Sequence, residues 1–249
     1  MSRTPTVLHP LTLPGLLHHV LTTQSSTCPT LLIICSTQEI FLQHLAASLE
    51  RGRGCGEEET RDIDKLVAPT LHSLLTTRHV RVAFCASVQA LLAYLTAYGR
   101  PEAGCIGETE GKERVVLVNP LALHASTPSF SAQGLSRCFA TATDTALNTG
   151  IKLYVVECEG IHGIQAAHAE EDMHVDVDME NGQSEPQHGT DIGDPWEQEV
   201  SILNVSARRF GSGSNERAWA GRTVKAKRIA GRWFRFHQLE NNQARSGPG

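Results

Sequence analysis

None of the seven cysteines, at positions 28, 35, 55, 85, 105, 138 and 158, forms a C-x-x-C pair with another. That absence argues against a zinc ribbon or finger, whose ligands come in such pairs. No apolar run approaches the roughly eighteen residues of a membrane-crossing helix, and the N-terminus lacks the short apolar stretch of a secretory leader. No membrane partner is therefore expected. An odd number of cysteines without a leader points to a reducing compartment. Cys35, Cys85 and Cys158 stand in or beside apolar runs, where a thiol serves as a small hydrophobe. Aromatic residues are also scarce, at 5% of 249, and hydrophobic residues make up 40%. A chain of this length has room for one α/β core and one long insertion.

Basic residues are missing from one whole stretch. Between Glu157 and Glu199 there are thirteen acidic residues and no Lys or Arg. Between Arg208 and Arg235 the balance reverses, with nine basic residues against the single acid Glu216. The modest net charge of −5 thus conceals windows of −13 and +8. Residues 159–195 are rich in Gly, Asp, Glu, His, Gln and Pro and poor in large apolar side chains. Such a composition cannot offset the entropy of ordering, so residues 158–195 are expected to be an acidic disordered insertion and 239–249 a disordered tail. The insertion's histidines, His162, His168, His174 and His188, are spaced by six, six and fourteen, which puts no two on one helical turn. No metal site is expected from them.

The most informative stretch runs from Arg114 to Glu157. An apolar strand at 114–118 stops at Asn119-Pro120, a helix follows at 132–148, and a second apolar strand at 151–157 ends in a carboxylate. Strand, helix, strand in this order predicts a parallel βαβ unit buried on both faces. Upstream, residues 1–8 are expected to be loose, and a helix at 15–22 precedes a strand at 30–35. Ser36 or Thr37 caps a helix at 38–49 with Ile40, Phe41, Leu45 and Leu49 inward, and a Gly- and charge-rich loop follows at 51–64. A helical turn within 66–75, a strand at 81–85 and a Ser87-capped helix to Tyr98 come next. After the insertion, alternating segments at 199–205, 223–230 and 233–237 predict an antiparallel β meander. Residues 1–157 and 196–238 then form a single domain, a mainly parallel sheet flanked by helices with this meander as its antiparallel edge.

The order of the segments at 81–98, 114–119, 133–148, 151–157 and 200–237 resembles the core of RecA-like recombinases. In that family an apolar strand ends in an Asp that helps hold magnesium; here the strand ends in Asn119. A mobile DNA-contacting loop follows the next strand, in the place taken here by the acidic insertion. The chain departs from the family where nucleotide is held. A phosphate-cradling G-x-x-x-x-G-K-[ST] loop brings backbone amides and a Lys to the phosphates. No such motif occurs, and Gly52-Arg53-Gly54-Cys55-Gly56 and the 107–112 segment lack the strand–loop–helix setting. The strand that carries that loop is itself expected to be missing. The resemblance therefore implies a protein without nucleotide cofactor or hydrolysis, like the small ATPase-dead recombinase paralogues of Shu-type complexes. It implies a nuclear scaffold or mediator in homologous recombination and double-strand break repair. The implied partners are other recombinase paralogues, a SWIM-domain protein and single-stranded DNA.

The expected nucleic-acid-binding residues are Arg208, Arg209, Arg217, Arg222, Lys225, Lys227, Arg228, Arg232 and Arg235, interleaved with Trp219, Trp233, Phe234 and Phe236. On an alternating strand Lys225, Lys227 and Arg222 share one face. Such a patch releases counterions from phosphates, and exposed rings stack on bases. It reads equally as a solvated edge over aromatic core residues, or as a partner for the acidic insertion. Asn119 reads either as a turn former or as the relic of a metal ligand. Two other functions remain open: an ATPase-dead RecA-like subunit of an Elongator-type complex acting in transfer RNA modification, and a Rossmann-like enzyme. The latter needs a Gly-rich turn after the first strand, which Cys35-Ser36-Thr37-Gln38 does not supply.

Overall fold

A computed structural model describes residues 4–25, 28–54, 70–99, 113–159, 194–202 and 222–239. Six strands form one sheet. In chain order they are β1 (Thr6–His9), β2 (Thr30–Ile34), β3 (Val80–Phe84), β4 (Arg114–Val118), β5 (Lys152–Val156) and, last, β8 (Arg235–Gln238). Their spatial order is β3-β2-β4-β5-β1-β8, and every neighbouring pair is parallel. Short apolar runs such as Leu31-Leu32-Ile33-Ile34 and Val115-Val116-Leu117-Val118 are buried throughout, as parallel strands with both faces covered must be.

Alternate side chains feed two apolar layers. Leu8, Leu32, Ile34, Val116, Val118 and Val156 point to one face, where α1 (Leu13–Thr23) and α2 (Gln38–Gly54) pack. Val7, Leu31, Ile33, Val115, Leu117, Leu153 and Val155 point to the other. There α4 (Val88–Tyr98) lies beside α6 (Ala132–Thr149). The short α3 (Leu71–Thr77) precedes β3, and α5 (Pro120–Ala125) fills the turn after β4. Capping hydroxyls start the longer helices: Ser87 accepts from the Ala90 amide and Ser131 from the Gly134 amide, each at 3.1 Å. Gly150 ends α6 at φ 68°, a conformation that costs glycine little.

The βαβ unit forms as expected, with Val115 opposite Leu153 and Val118 opposite Val156. Three expectations need correction. Residues 6–8 are not loose: Val7 and Leu8 are buried in β1, between β5 and β8. Only a few apolar residues mark that strand, too few to show a period. Residues 223–230 are not one strand. They split into β7 (Thr223–Lys225) and a helical turn α7 (Ala226–Ala230), because Ala226, Ile229 and Ala230 also fit helical spacing and bury together.

The expected antiparallel meander shrinks accordingly. β6 (Glu199–Ser201) and β7 form a separate antiparallel pair, while β8 runs parallel to β1 as the sheet's edge. A turn at Gly231–Trp233, whose Trp233 amide donates to the Ala230 carbonyl at 2.9 Å, redirects the chain. Smaller differences lie in α2, which runs on to Gly54 where a loop was expected, and in Ile40, which is exposed while His44 is buried. Of the expected insertion 158–195, residues 160–193 lie outside the described residues, as does the tail beyond Leu239.

Phe139 on α6 anchors the second layer. It is fully buried and meets Phe234 edge-on at 5.2 Å between ring centroids. Phe139→Ala is expected to lower the unfolding free energy by about 3–5 kcal/mol. Urea denaturation followed by circular dichroism measures this.

Candidate functional site

All six strands of the sheet point the same way, so their carboxyl ends share one edge, the usual place for a ligand in an open α/β sheet. The crevice between β2 and β4 is its switch point, since the chain leaves β2 toward β3 and β4 toward β5. Asn119 leaves β4 in the left-handed region, φ 58° and ψ 46°, which Asn tolerates better than most residues. Its amide donates to the Val156 carbonyl, and its Oδ1 accepts from the Cys158 amide, both at 2.8 Å. Pro120 opens α5 at a position where no amide proton is needed.

The next two amides of that helix point at Glu157. Leu121 N–H donates to Oε2 at 2.9 Å and Ala122 N–H to Oε1 at 2.8 Å. Glu157 is 2% exposed, so a buried carboxylate answers two amides that the first helical turn leaves free. Asn119 and Glu157 thus tie the ends of β4 and β5 together by side chain to backbone. The side-chain amide of Asn119 works here as a turn-forming clamp.

His124 completes α5. Its Nδ1 lies 2.7 Å from the Pro120 carbonyl, which only accepts, so Nδ1 carries the proton. Nε2 is buried without a partner, and burial lowers the ring's pKa against smaller opposing effects from that hydrogen bond and from Glu157. Burial shifts three thiols as well. Burial raises Cys35 and Cys158 well above the usual thiol range and pushes Cys138 up to about 12.

The turn from β1 into α1 is His9-Pro10-Leu11-Thr12, with a cis bond before Pro10 and no glycine. Leu11 accepts from the Glu159 amide at 3.0 Å, closing this turn onto the exit from β5. The strand expected to be missing is present, and the turn that follows it presents no glycine cradle.

The basic residues fall into three groups. Arg208, Arg209 and Arg217 lie outside the described residues, with Trp219. Lys225 and Lys227 converge on one carboxylate: their Nζ atoms lie 2.7 and 3.0 Å from the two oxygens of Glu197, in the 3-10 turn Pro195–Glu197. The hydrogen bonds from Lys225 and Lys227, in that order, lower the Glu197 pKa. They share this acid although no continuous strand aligns them. Arg222, Arg228, Arg232 and Arg235 are exposed and make no ion pair among the described residues.

The interleaved aromatics serve mainly as core. Phe234 is buried on Phe139, Phe236 meets the buried Trp196 edge-on at 5.4 Å, and Trp233 is half-buried. Sequence reasoning missed α5 and the roles of Glu157 and His124. The available signal was Asn119-Pro120 before Leu-Ala-Leu, a proline at a first helical position. No protein-family model and no curated protein matches the chain.

His124 ties stability to pH. Its folded pKa lies below the unfolded value of about 6.5, so the native state binds fewer protons and loses stability as pH falls through 6.5 toward the folded pKa. His124→Leu is expected to flatten that part of the curve. Denaturation midpoints between about pH 5 and 7 check it; identical slopes in both proteins contradict it.

Proposed function

We propose that this protein is a non-catalytic RecA-like recombinase paralogue, a scaffold or mediator subunit in homologous recombination and double-strand break repair. The observation that carries the non-catalytic part is the self-occupied carboxyl edge. Glu157 takes the α5 amides, Asn119 takes the Cys158 amide, and the turn after β1 lacks glycine. A phosphate there meets a buried carboxylate rather than free amides. The long helix α6 between β4 and β5, with β4 ending in Asn119, supports the RecA-like assignment.

A role among protein partners draws on one flank of the molecule. Leu71, Leu74 and Leu75 on α3 and Val82 on the edge strand β3 are each more than half exposed, with Leu42 on α2 also exposed. Other recombinase paralogues and a SWIM-domain protein, in the nucleus, are the partners this reading implies. Affinity purification separates it from an Elongator-type subunit by the proteins recovered.

Single-stranded DNA binding, in this reading, rests on arginines that make no ion pair among the described residues. Arg228→Glu, Arg232→Glu and Arg235→Glu together are expected to weaken binding about tenfold or more at low salt. They also reduce the salt slope by about 0.7 for each phosphate that is no longer neutralised. Lys225→Glu with Lys227→Glu has the smaller effect, because Glu197 already answers both charges. Fluorescence anisotropy on an oligonucleotide measures this; unchanged affinity in the triple variant contradicts a DNA role for this surface.

A further inference from the structure

A cavity of about 250 Å³ lies on the α1 face of the sheet. Its floor is built from one face of neighbouring strands, through Val116 on β4, Tyr154 on β5 and Leu8 on β1, with the exposed His237 of β8 at its mouth. Leu16, His19, Val20 and Thr23 of α1 form a wall, and Leu239 closes the β8 side. Arg114, at the start of β4, reaches into it from one end.

Arg114 carries the positive charge of this cavity. The Arg114 guanidinium donates only to neutral oxygens: Thr30 Oγ1 at 2.9 Å, Thr23 Oγ1 at 2.8 Å, Gln24 Oε1 at 3.3 Å and the Val20 carbonyl at 3.4 Å. Among the described residues it has no carboxylate partner, and no Asp or Glu lines the cavity. Arg114 is half-buried, and burial depresses its pKa. A cation removed from water without a counterion is costly, and an anion repays that cost. His19 shares the field: burial first, then Arg114, His18 and His237, lowers its pKa. Arg114 therefore faces the apolar side chains of Leu8, Leu16 and Val116, with the imidazoles of His19 and His237 beside it.

We infer that this cavity binds a small organic carboxylate with an apolar body, its carboxylate against Arg114 and its body on Leu8, Leu16 and Val116. The volume suits a ligand of on the order of ten non-hydrogen atoms, below the usual drug-sized range. This inference stands apart from the DNA reading, since it uses another face and other residues.

Benzoate is the probe and benzyl alcohol its uncharged control, each titrated into the full chain by calorimetry. Benzoate is expected to bind saturably, and benzyl alcohol at least tenfold more weakly. Arg114→Gln should abolish the preference. Because Arg114 also ties Thr23 to Thr30, His237→Glu provides a second variant at an exposed position; it places a carboxylate at the mouth and should weaken benzoate at least tenfold in a protein with wild-type circular dichroism. Equal binding of benzoate and benzyl alcohol, no binding of benzoate, or undiminished benzoate binding by His237→Glu overturns the proposal.

Discussion

One buried carboxylate holds the carboxyl edge of this sheet in its observed form. Glu157 stands where β5 ends, and its two oxygens accept the first free amides of α5, which begins where β4 ends. The arrangement answers two demands together. Helix amides that would otherwise be orphaned gain acceptors, and a buried negative charge gains donors and the favourable end of a helix dipole. Asn119 makes this possible by turning through the left-handed region and clamping the Cys158 amide. Remove either and the ends of the two central strands lose their cross-ties.

The rest of the architecture follows from a parallel sheet that must be covered on both faces. Val7 and Leu8 show the requirement at its smallest, adjacent residues committed to opposite apolar layers. α4 and α6 cover one face; α1 and α2 cover the other, and beside α1 the cover thins enough to leave the Arg114 cavity. At the β3 edge the apolar cover stops short and leaves leucines of α3 in solvent. The closed carboxyl edge, the apolar flank and the exposed arginines thus occupy different parts of the molecule.

The central strands were legible in the sequence because their apolar runs are dense and bounded by Asn-Pro or by a carboxylate. Ser87 likewise marked a real helix start. β1 was not legible, since a four-residue strand between two others needs few apolar residues when its neighbours supply the burial. The segment 223–230 was ambiguous in a physical sense: Val224, Ala226, Ile229 and Ala230 satisfy a strand period at one end and a helix period at the other. The pairing of Lys225 and Lys227 with Glu197, and of Glu157 with Leu121 of α5, joins residues that stand 28, 30 and 36 positions apart. No local pattern encodes pairings of that separation. His124 was invisible for the same reason, since its burial depends on what packs over α5.

The proposal that the carboxyl edge takes no nucleotide is tested most directly by calorimetric titration of the full chain with magnesium and ATP. An edge sealed by Glu157 predicts no saturable heat and no rise in melting temperature. Saturable binding that is lost on substitution within the β1–α1 turn or at Asn119 would contradict it.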